Sequence, residues 1–250
     1  MDHLKLSLVG HSSHHFSTPV SPEMLDRVLA LSGIERGWRA VDLGCGPAAM
    51  ALHLAERYGV EVEAVDRSAI MLDLARQRAA EHPAGARLSF HQSESGDWLK
   101  AARPCDLLAA VGAGLLVADA ANNAAQLSAL AKAVKPGGRL LWGETFWKRP
   151  PSDAFKAGLG PVAQLYASHA DYVMAGEAAG LTPLYAAVST DQDWDEYAWR
   201  YSTAVETYAA QHPDDGEAQA MRARIKGWRR VYLGEGREVM GFGLYLFGKG

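Results

Sequence analysis

The strongest local signal in this sequence is the stretch Val41-Asp42-Leu43-Gly44-Cys45-Gly46-Pro47. A short predicted strand, 40–43, leads directly into two glycines, and a helical pattern follows over 48–58. Glycines at such a junction let a ligand approach the backbone, and the first turn of the helix offers N–H groups without partners. The stretch therefore predicts a ligand site at the carboxyl end of the first strand.

An acidic residue about twenty positions later supports the same interpretation. Asp66 directly follows the second predicted strand, 60–65. A carboxylate at this place can accept hydrogen bonds from both hydroxyls of a ribose. The glycine loop and Asp66 together therefore indicate a nucleoside-containing cofactor at the switch point of an open sheet.

Strand and helix patterns alternate through the first 145 residues. A helix is predicted to begin at Ser21-Pro22-Glu23, with Ser at the N-cap, and a turn is predicted at Pro136-Gly137-Gly138. Strands are predicted over 40–43, 60–65, 88–91, 106–111 and 139–143, and further helices over 48–58, 68–82 and 119–134. This alternation predicts a doubly wound α/β fold with a parallel sheet between helices.

Aromatic residues become frequent in the remaining part of the chain. Of its 22 aromatic residues, 17 lie beyond position 140. Two helices are predicted across 194–232, and strands over 184–188 and 239–247. Two interpretations stay open: the aromatic side chains fill an ordinary core, or they line a substrate cover on the carboxyl edge of the sheet.

Charge and composition exclude several classes of protein. The 250 residues carry a net charge of −4, which argues against a nucleic-acid or anionic-membrane binder. The longest apolar run has twelve residues, 107–118, too few to span a bilayer, and Met1-Asp2-His3 lacks an export signal. Two cysteines argue against a disulfide framework, and no metal site is evident. We expect a soluble cytoplasmic protein with a small-molecule substrate; its oligomeric state stays open.

Two cofactor classes compete for the glycine loop. Gly44-x-Gly46-x-x-Ala49 fits the fingerprint of a dinucleotide site, but this pattern alone is weak. Asp42 stands two residues before the first glycine. Its carboxylate would disfavour a diphosphate, whereas it would suit the ammonium group of S-adenosylmethionine, which carries no phosphate.

Three motifs in order resemble the class I S-adenosylmethionine-dependent methyltransferases. The glycine loop 41–47 resembles their first motif, 64–68 their second-strand acid with its loop, and 134–140 their turn into the fifth strand. A narrower resemblance, to a group of poorly characterised small bacterial methyltransferases, rests on four further stretches: 16–21, 111–113, 143–147 and 193–197. It implies a Rossmann-like sheet of seven strands, the last one antiparallel.

The resemblance also implies how the chain is organised. Residues 1–250 would form one methyltransferase domain with a helical N-terminal cap, 1–36, and a cofactor-binding core, 37–145. The segments 146–182 and 191–235 would be helical insertions that cover the substrate.

Roles for individual residues follow from the same resemblance. It implies that the cofactor contacts Asp42, Gly44, Cys45, Gly46, Asp66, Arg67, Met71, Glu94, Ser95, Val111 and Gly112. Asp66 would hold the ribose and Gly112 would pass close to the sulfonium. Glu94 departs from the family pattern, which usually has the shorter Asp at this place.

Methyl transfer from a sulfonium is an in-line displacement, so the protein chiefly aligns the reacting atoms. A general base is needed only if the acceptor must lose a proton, and the candidates are His14, Glu144 and Tyr201. The candidate substrate-binding residues are His15, Phe16, Ala113, Trp147, Trp194 and Trp199. S-adenosylhomocysteine would be the product, and the acceptor atom stays open.

The sequence is therefore compatible with three functions. The favoured one is an S-adenosylmethionine-dependent methyltransferase that acts on a small molecule. The alternatives are an NAD(P)-dependent oxidoreductase and a non-catalytic domain that binds S-adenosylmethionine.

Overall fold

One mixed sheet lies at the centre of the computed structural model, which describes residues 3–114, 116–117 and 120–250. Its strands are β1 (Arg39–Leu43), β2 (Glu61–Asp66), β3 (Leu88–Gln92), β4 (Cys105–Val111), β5 (Val134–Trp147), β6 (Leu181–Val188) and β7 (Met240–Lys249). Their order is β3-β2-β1-β4-β5-β7-β6. β7 pairs antiparallel with β5 and β6, whereas the other pairs are parallel. The predicted seven-stranded Rossmann-like sheet with an antiparallel last strand is confirmed.

Helices cover both faces of this sheet. They are α1 (His3–Gly10), α2 (Pro22–Leu29), α3 (Ala49–Tyr58), α4 (Ala69–Ala80), α5 (Ser95–Ala101), α6 (Asn123–Lys132), α7 (Asp153–Leu159), α8 (His169–Ala178), α9 (Asp191–Gln211), α10 (Gly216–Val231) and α11 (Arg237–Val239). The side chains of β1 alternate between the two layers: Ala40 belongs to the core with α2 and α3, and Val41 to the core with α6. This alternation is the pleat of a strand buried on both faces.

The N-terminal segment makes two contacts with the rest of the protein before it lies over the carboxyl edge of the sheet. First, α1 packs with α9 and α10 around a small separate core that contains Leu6 and Met221. The chain then returns to the sheet, where the buried Ser189 hydroxyl, just after β6, donates a hydrogen bond to the Pro19 carbonyl. The segment thus lies over the edge at which the parallel strands end.

The predicted turn at Pro136-Gly137-Gly138 is wrong. These residues belong to β5, which begins at Val134 opposite Cys105. The register then shifts, because Arg139 pairs with Leu107. Gly137 has φ +78°, so the flexibility that suggested a turn instead allows an irregular stretch inside the strand.

Several helices were missed or misplaced. No individual bounds were predicted for α1, α5, α7 or α8. Of these, α1 lies inside the predicted helical cap 1–36, and α7 and α8 lie inside the predicted helical insertion 146–182, whereas α5 was missed. α6 begins at Asn123, where the Asn122 side chain accepts from the Ala125 N–H, and the predicted start at Asp119 lies outside the described residues. At α2, Ser21 accepts from the Met24 N–H as predicted.

None of the helices in the described ranges combines the length and apolar character that crossing a membrane requires.

Candidate active site

The glycine loop after β1 is fixed to the end of β2. The N–H groups of Gly44 and Cys45 both donate to the Val65 carbonyl, at 2.8 and 3.0 Å. A Cβ on Gly44 (φ +80°) would stand 2.5 Å from the Cβ of Ala113, whereas a Cβ on Gly46 (φ +51°) would meet nothing within 4 Å. The lack of a side chain at Gly44 therefore allows the loop after β4 to pack closely against it. The space beside Gly46 is open to a ligand.

Two carboxylates lie at this loop without a compensating cation. Asp66 accepts hydrogen bonds from the N–H groups of Gly46 and Ser68, both at 2.8 Å. Asp42 is buried and accepts from the Ala51 N–H at 3.1 Å. Burial, with a smaller contribution from Asp66, raises the pKa of Asp42 to about 7. Among the described residues, no Lys, Arg or His forms an ion pair with either carboxylate. This arrangement suits a positively charged ligand and disfavours a diphosphate.

The other predicted cofactor residues in this part of the chain differ in how exposed their side chains are. Glu94 is exposed and precedes α5, which begins at Ser95. The Ser93 N–H donates to the Asp66 carbonyl at 3.1 Å, which holds this segment beside the end of β2. The Arg67 side chain is exposed, whereas Met71 is half-buried, and Cys45 is buried with a raised thiol pKa because of desolvation.

The end of β4 meets the N-terminal segment at Gly112. Val111 pairs with Gly143 of β5, and the Gly112 N–H donates to the Gly143 carbonyl at 2.9 Å. Gly112 has φ +67°, and a Cβ there would collide with the Thr18 methyl group. A larger residue at Gly112 would therefore push the N-terminal segment away from the sheet.

A cavity of about 250 Å³ lies beside this contact. Its lining comes from six parts of the chain: Ser17, Thr18, Pro19, Gly112, Gly114, Glu144, Thr145, Val162, Leu165, Tyr166, Trp194, Tyr197 and Phe242. Glu144 is the charged residue among these described lining residues, and the others are apolar, aromatic or neutral polar. We call this space the Glu144 cavity.

The carboxylate of Glu144 has few hydrogen-bond partners among the described residues. Its Oε1 accepts a hydrogen bond from the Thr145 N–H at 2.7 Å. Burial raises the pKa of the Glu144 carboxyl to about 7. The pKa of Tyr166 is raised to about 12, by burial first and by Glu144 second. A carboxyl with this pKa can accept or release a proton near neutral pH, as a general base requires.

His14, His15 and Phe16 lie in a neighbouring cavity of about 470 Å³ rather than in the Glu144 cavity. The Nε2 of His14 lies 2.9 Å from the Tyr197 carbonyl, and burial lowers the pKa of the imidazole. His15 contacts the buried Phe16 edge-on, with ring centroids 4.4 Å apart. The structure therefore separates His14 from Glu144, although both are candidate bases.

The remaining candidates fall in three places. Trp194 is buried and lines the Glu144 cavity. Tyr201 packs against α1, and its hydroxyl donates to the Leu6 carbonyl at 3.3 Å, outside that cavity. Trp147 lines a separate cavity of about 600 Å³. Trp199 is 48% exposed and lines none of the cavities described above.

Sequence reasoning missed several residues of the Glu144 cavity. Tyr197 follows Trp194 by three positions on α9, so helical spacing could have placed both on one face. Phe242 lies on β7 opposite Thr145, a pairing that no local pattern reveals. Tyr166 lies in an irregular segment between α7 and α8 and gave no signal. Within the described ranges, no group of three His, Cys, Asp or Glu could hold a metal ion.

Comparisons with known proteins bear on this geometry. Residues 40–138 match the family model of a methyltransferase domain. Over 248 residues, 98% of each chain, this chain is 25% identical to the uncharacterized protein YjhP of Escherichia coli. A SAM-dependent methyltransferase from Geobacter sulfurreducens, crystallised with S-adenosyl-L-homocysteine, has the same fold, with a TM-score of 0.86 and 24% identity over 97% of both chains. Trans-aconitate 2-methyltransferase of Mycobacterium tuberculosis is 37% identical over 81 residues, 32% of this chain and 28% of that protein.

Proposed function

We propose that this chain, a class I S-adenosylmethionine-dependent methyltransferase, methylates a small molecule held in the Glu144 cavity. Its cofactor is S-adenosylmethionine, which decides between the two cofactor classes that the glycine loop left open. When bound, this cofactor supplies a methyl group on a positively charged sulfur.

The two unpaired carboxylates support the cofactor contacts that we propose. Asp42 would attract the ammonium group of the methionine part, and Asp66 would accept from the ribose hydroxyls. Gly44, Cys45 and Gly46 would face the methionine part. The residues proposed around the adenine and the sulfonium are Arg67, Met71, Glu94, Ser95, Val111 and Gly112. Support comes from the contact of Asp66 with Gly46 and from the open space at Gly46.

The Glu144 cavity carries the acceptor proposal. Gly112 and Gly114 at the end of β4 form one side of it, and Glu144 at β5 stands next to them. The position suits alignment of an acceptor atom with the methyl group, which is the main contribution that a protein makes to this displacement. Where the acceptor must lose a proton, we propose Glu144 as the base, because His14 and Tyr201 do not line this cavity.

A small acceptor is favoured by the size of the cavity and by the charge of the protein. The volume of about 250 Å³ holds a molecule of a few dozen atoms at most. The net charge of −4 disfavours a nucleic acid as the acceptor. Segments 1–36, 146–182 and 191–235 each contribute to the lining, which supports their proposed role as covers over one domain. We also propose a cytoplasmic location, supported by two free cysteines.

Transfer of a labelled methyl group tests the proposal. The protein, S-adenosylmethionine labelled in its methyl group and a cell extract are incubated together, and the products are separated by size. We expect label in the low-molecular-weight fraction, with heat-denatured protein as the control. Label that appears only in the protein or nucleic-acid fractions would contradict a small-molecule acceptor.

A further inference from the structure

We infer that the acceptor is an amine that enters the Glu144 cavity as its ammonium form. This inference rests on the proposed function, since it names the chemical class of the molecule that the cavity would hold. The charge of the cavity, its aromatic walls and the position of Glu144 carry the inference.

The charge of the lining disfavours anionic acceptors. Glu144 has no Lys, Arg or His opposite it among the described residues that line the cavity. A carboxylate or phosphate group placed there would face like charge in a poorly hydrated space. An acid such as trans-aconitate, the substrate named for one relative, therefore does not suit this cavity. A bound cation would supply the positively charged partner that the Glu144 carboxylate lacks in this lining.

Aromatic side chains add a second attraction for a cation. Tyr166, Trp194, Tyr197 and Phe242 all line the cavity. The rings of Trp194 and Tyr197 lie 5.9 Å apart and nearly perpendicular, at 87°. Aromatic faces attract ammonium groups, most strongly where water is excluded, and combining them with one carboxylate is a general way to bind alkylammonium ions.

The position of Glu144 also fits the proton that such an acceptor must lose. The ammonium proton passes to the Glu144 carboxylate, which leaves a neutral amine with a free electron pair and a neutral carboxyl. The new nitrogen–carbon bond then forms as the carbon–sulfur bond breaks, and the electron pair of the broken bond stays on sulfur. The positive charge thus moves from sulfur to the methylated nitrogen, and no other reactant is needed.

Matched acceptors test the inference. Benzylamine, benzyl alcohol and benzoate share one ring and differ in the group that they present. With labelled S-adenosylmethionine, we expect methyl transfer to benzylamine and none to the alcohol or the acid. Tetramethylammonium, which cannot accept a further methyl group, is expected to inhibit that transfer competitively. Transfer to benzoate or to benzyl alcohol in place of benzylamine would overturn the inference.

Glu144→Gln separates the role of the charge from a structural role. We expect kcat/KM for benzylamine to fall at least about 100-fold, the size of a general-base contribution, and inhibition by tetramethylammonium to weaken. Glu196, an exposed glutamate on α9, lines the neighbouring cavity and not the Glu144 cavity. Glu196→Gln is therefore the matched control and should keep both the activity and the inhibition. Equal activity of the Glu144→Gln variant and the wild-type protein would overturn the inference.

One further measurement distinguishes failure of the inference from failure of the proposed function. Calorimetry with S-adenosylhomocysteine should show the same affinity in the wild-type protein and in Glu144→Gln, which confirms that the variant folds. Suppose that a small molecule from the extract is methylated, that benzylamine is not, and that tetramethylammonium does not inhibit methylation of the extract molecule. The amine class is then wrong and the proposed function stands. If no small molecule from the extract is methylated, the proposed function itself fails.

Discussion

The glycine loop and the Glu144 cavity lie at the same edge of the sheet but are assembled differently. Between residues 42 and 68, backbone N–H groups and carboxylates of near neighbours in sequence hold the loop. The cavity draws its lining from residues between positions 17 and 242, and aromatic rings replace most of the polar contacts. The contrast shows that the cofactor end depends on local backbone geometry, whereas the acceptor end depends on packing between distant segments.

Loss of an aromatic wall should damage the cavity and leave the cofactor end intact. Trp194→Ala removes a side chain that is 5% exposed, and we expect a loss of about 3–5 kcal/mol in the free energy of unfolding. Methyl transfer should fall strongly, while affinity for S-adenosylhomocysteine, measured by calorimetry, should stay near the wild-type value. Trp194→Phe provides a milder variant if Trp194→Ala does not fold.

Trp199 supplies the control on the same helix. This residue is 48% exposed, so Trp199→Ala should change the free energy of unfolding by no more than about 0.5 kcal/mol. Equal effects at both tryptophans would contradict the assignment of Trp194 to the cavity.

The charge of Glu144 should make the ligand-free protein less stable as the pH rises. Burial raises the pKa of Glu144 from 4.5 to about 7, so its favourable contribution is complete below pH 4.5 and is lost as the pH rises through 7. Glu144→Gln should remove a decrease on the order of 3 kcal/mol, measured by urea unfolding at pH 5 and pH 8. Asp42 shifts in the same direction, so part of the pH dependence should remain.

For that experiment, Glu196→Gln is again the matched control and should keep the wild-type difference between the two pH values. A Glu144→Gln variant with an unchanged pH dependence would show that this carboxyl is hydrated rather than buried.

Changes at the glycine loop should weaken cofactor binding and leave the Glu144 cavity intact. Asp66→Ala removes the acceptor for the N–H groups of Gly46 and Ser68 and the proposed partner of the ribose. We expect the affinity for S-adenosylhomocysteine to weaken by about 1–3 kcal/mol, as for a lost set of hydrogen bonds to a charged group. Calorimetry measures the change, and Asp73→Ala, on the exposed side of α4, is the control. An unchanged affinity would mean that other groups hold the ribose.

A small effect is expected at Tyr201, which lies outside the Glu144 cavity. Tyr201→Phe removes the hydrogen bond from its hydroxyl to the Leu6 carbonyl, at a cost of about 0.5–1.5 kcal/mol in the free energy of unfolding. The rate of methyl transfer should not change. A large decrease in that rate, with stability preserved, would return Tyr201 to the candidate bases.

The same contrast explains how much could be predicted from the sequence. The glycine loop, Asp66 and most of the alternating elements up to β4 depend on neighbours in sequence, and their patterns are visible without the fold. The exception is α5, which was missed. The predicted turn at 136–138 was wrong because Gly137 can serve either a turn or an irregular strand, and only pairing with β4 selects the strand.

Only part of the Glu144 cavity could be predicted from the sequence. Glu144 was selected from its place at the carboxyl end of a strand, and Trp194 from the aromatic enrichment. His14 and Tyr201 were equally plausible in sequence, since only the packing of α1 against α9 shows that they lie elsewhere. Tyr166 and Phe242 come from segments whose approach to Glu144 depends on the β5–β7 pairing and on the irregular segment before α8.

The place of β7 between β5 and β6 affects how the chain folds during its synthesis on the ribosome. Six strands are synthesised before it, yet β5 and β6 each pair with it along much of their length. Until β7 arrives, both strands present open edges that can pair with other chains. Self-association of nascent or truncated chains should therefore begin at these two edges, and a chaperone that shields them would raise the yield of folded enzyme.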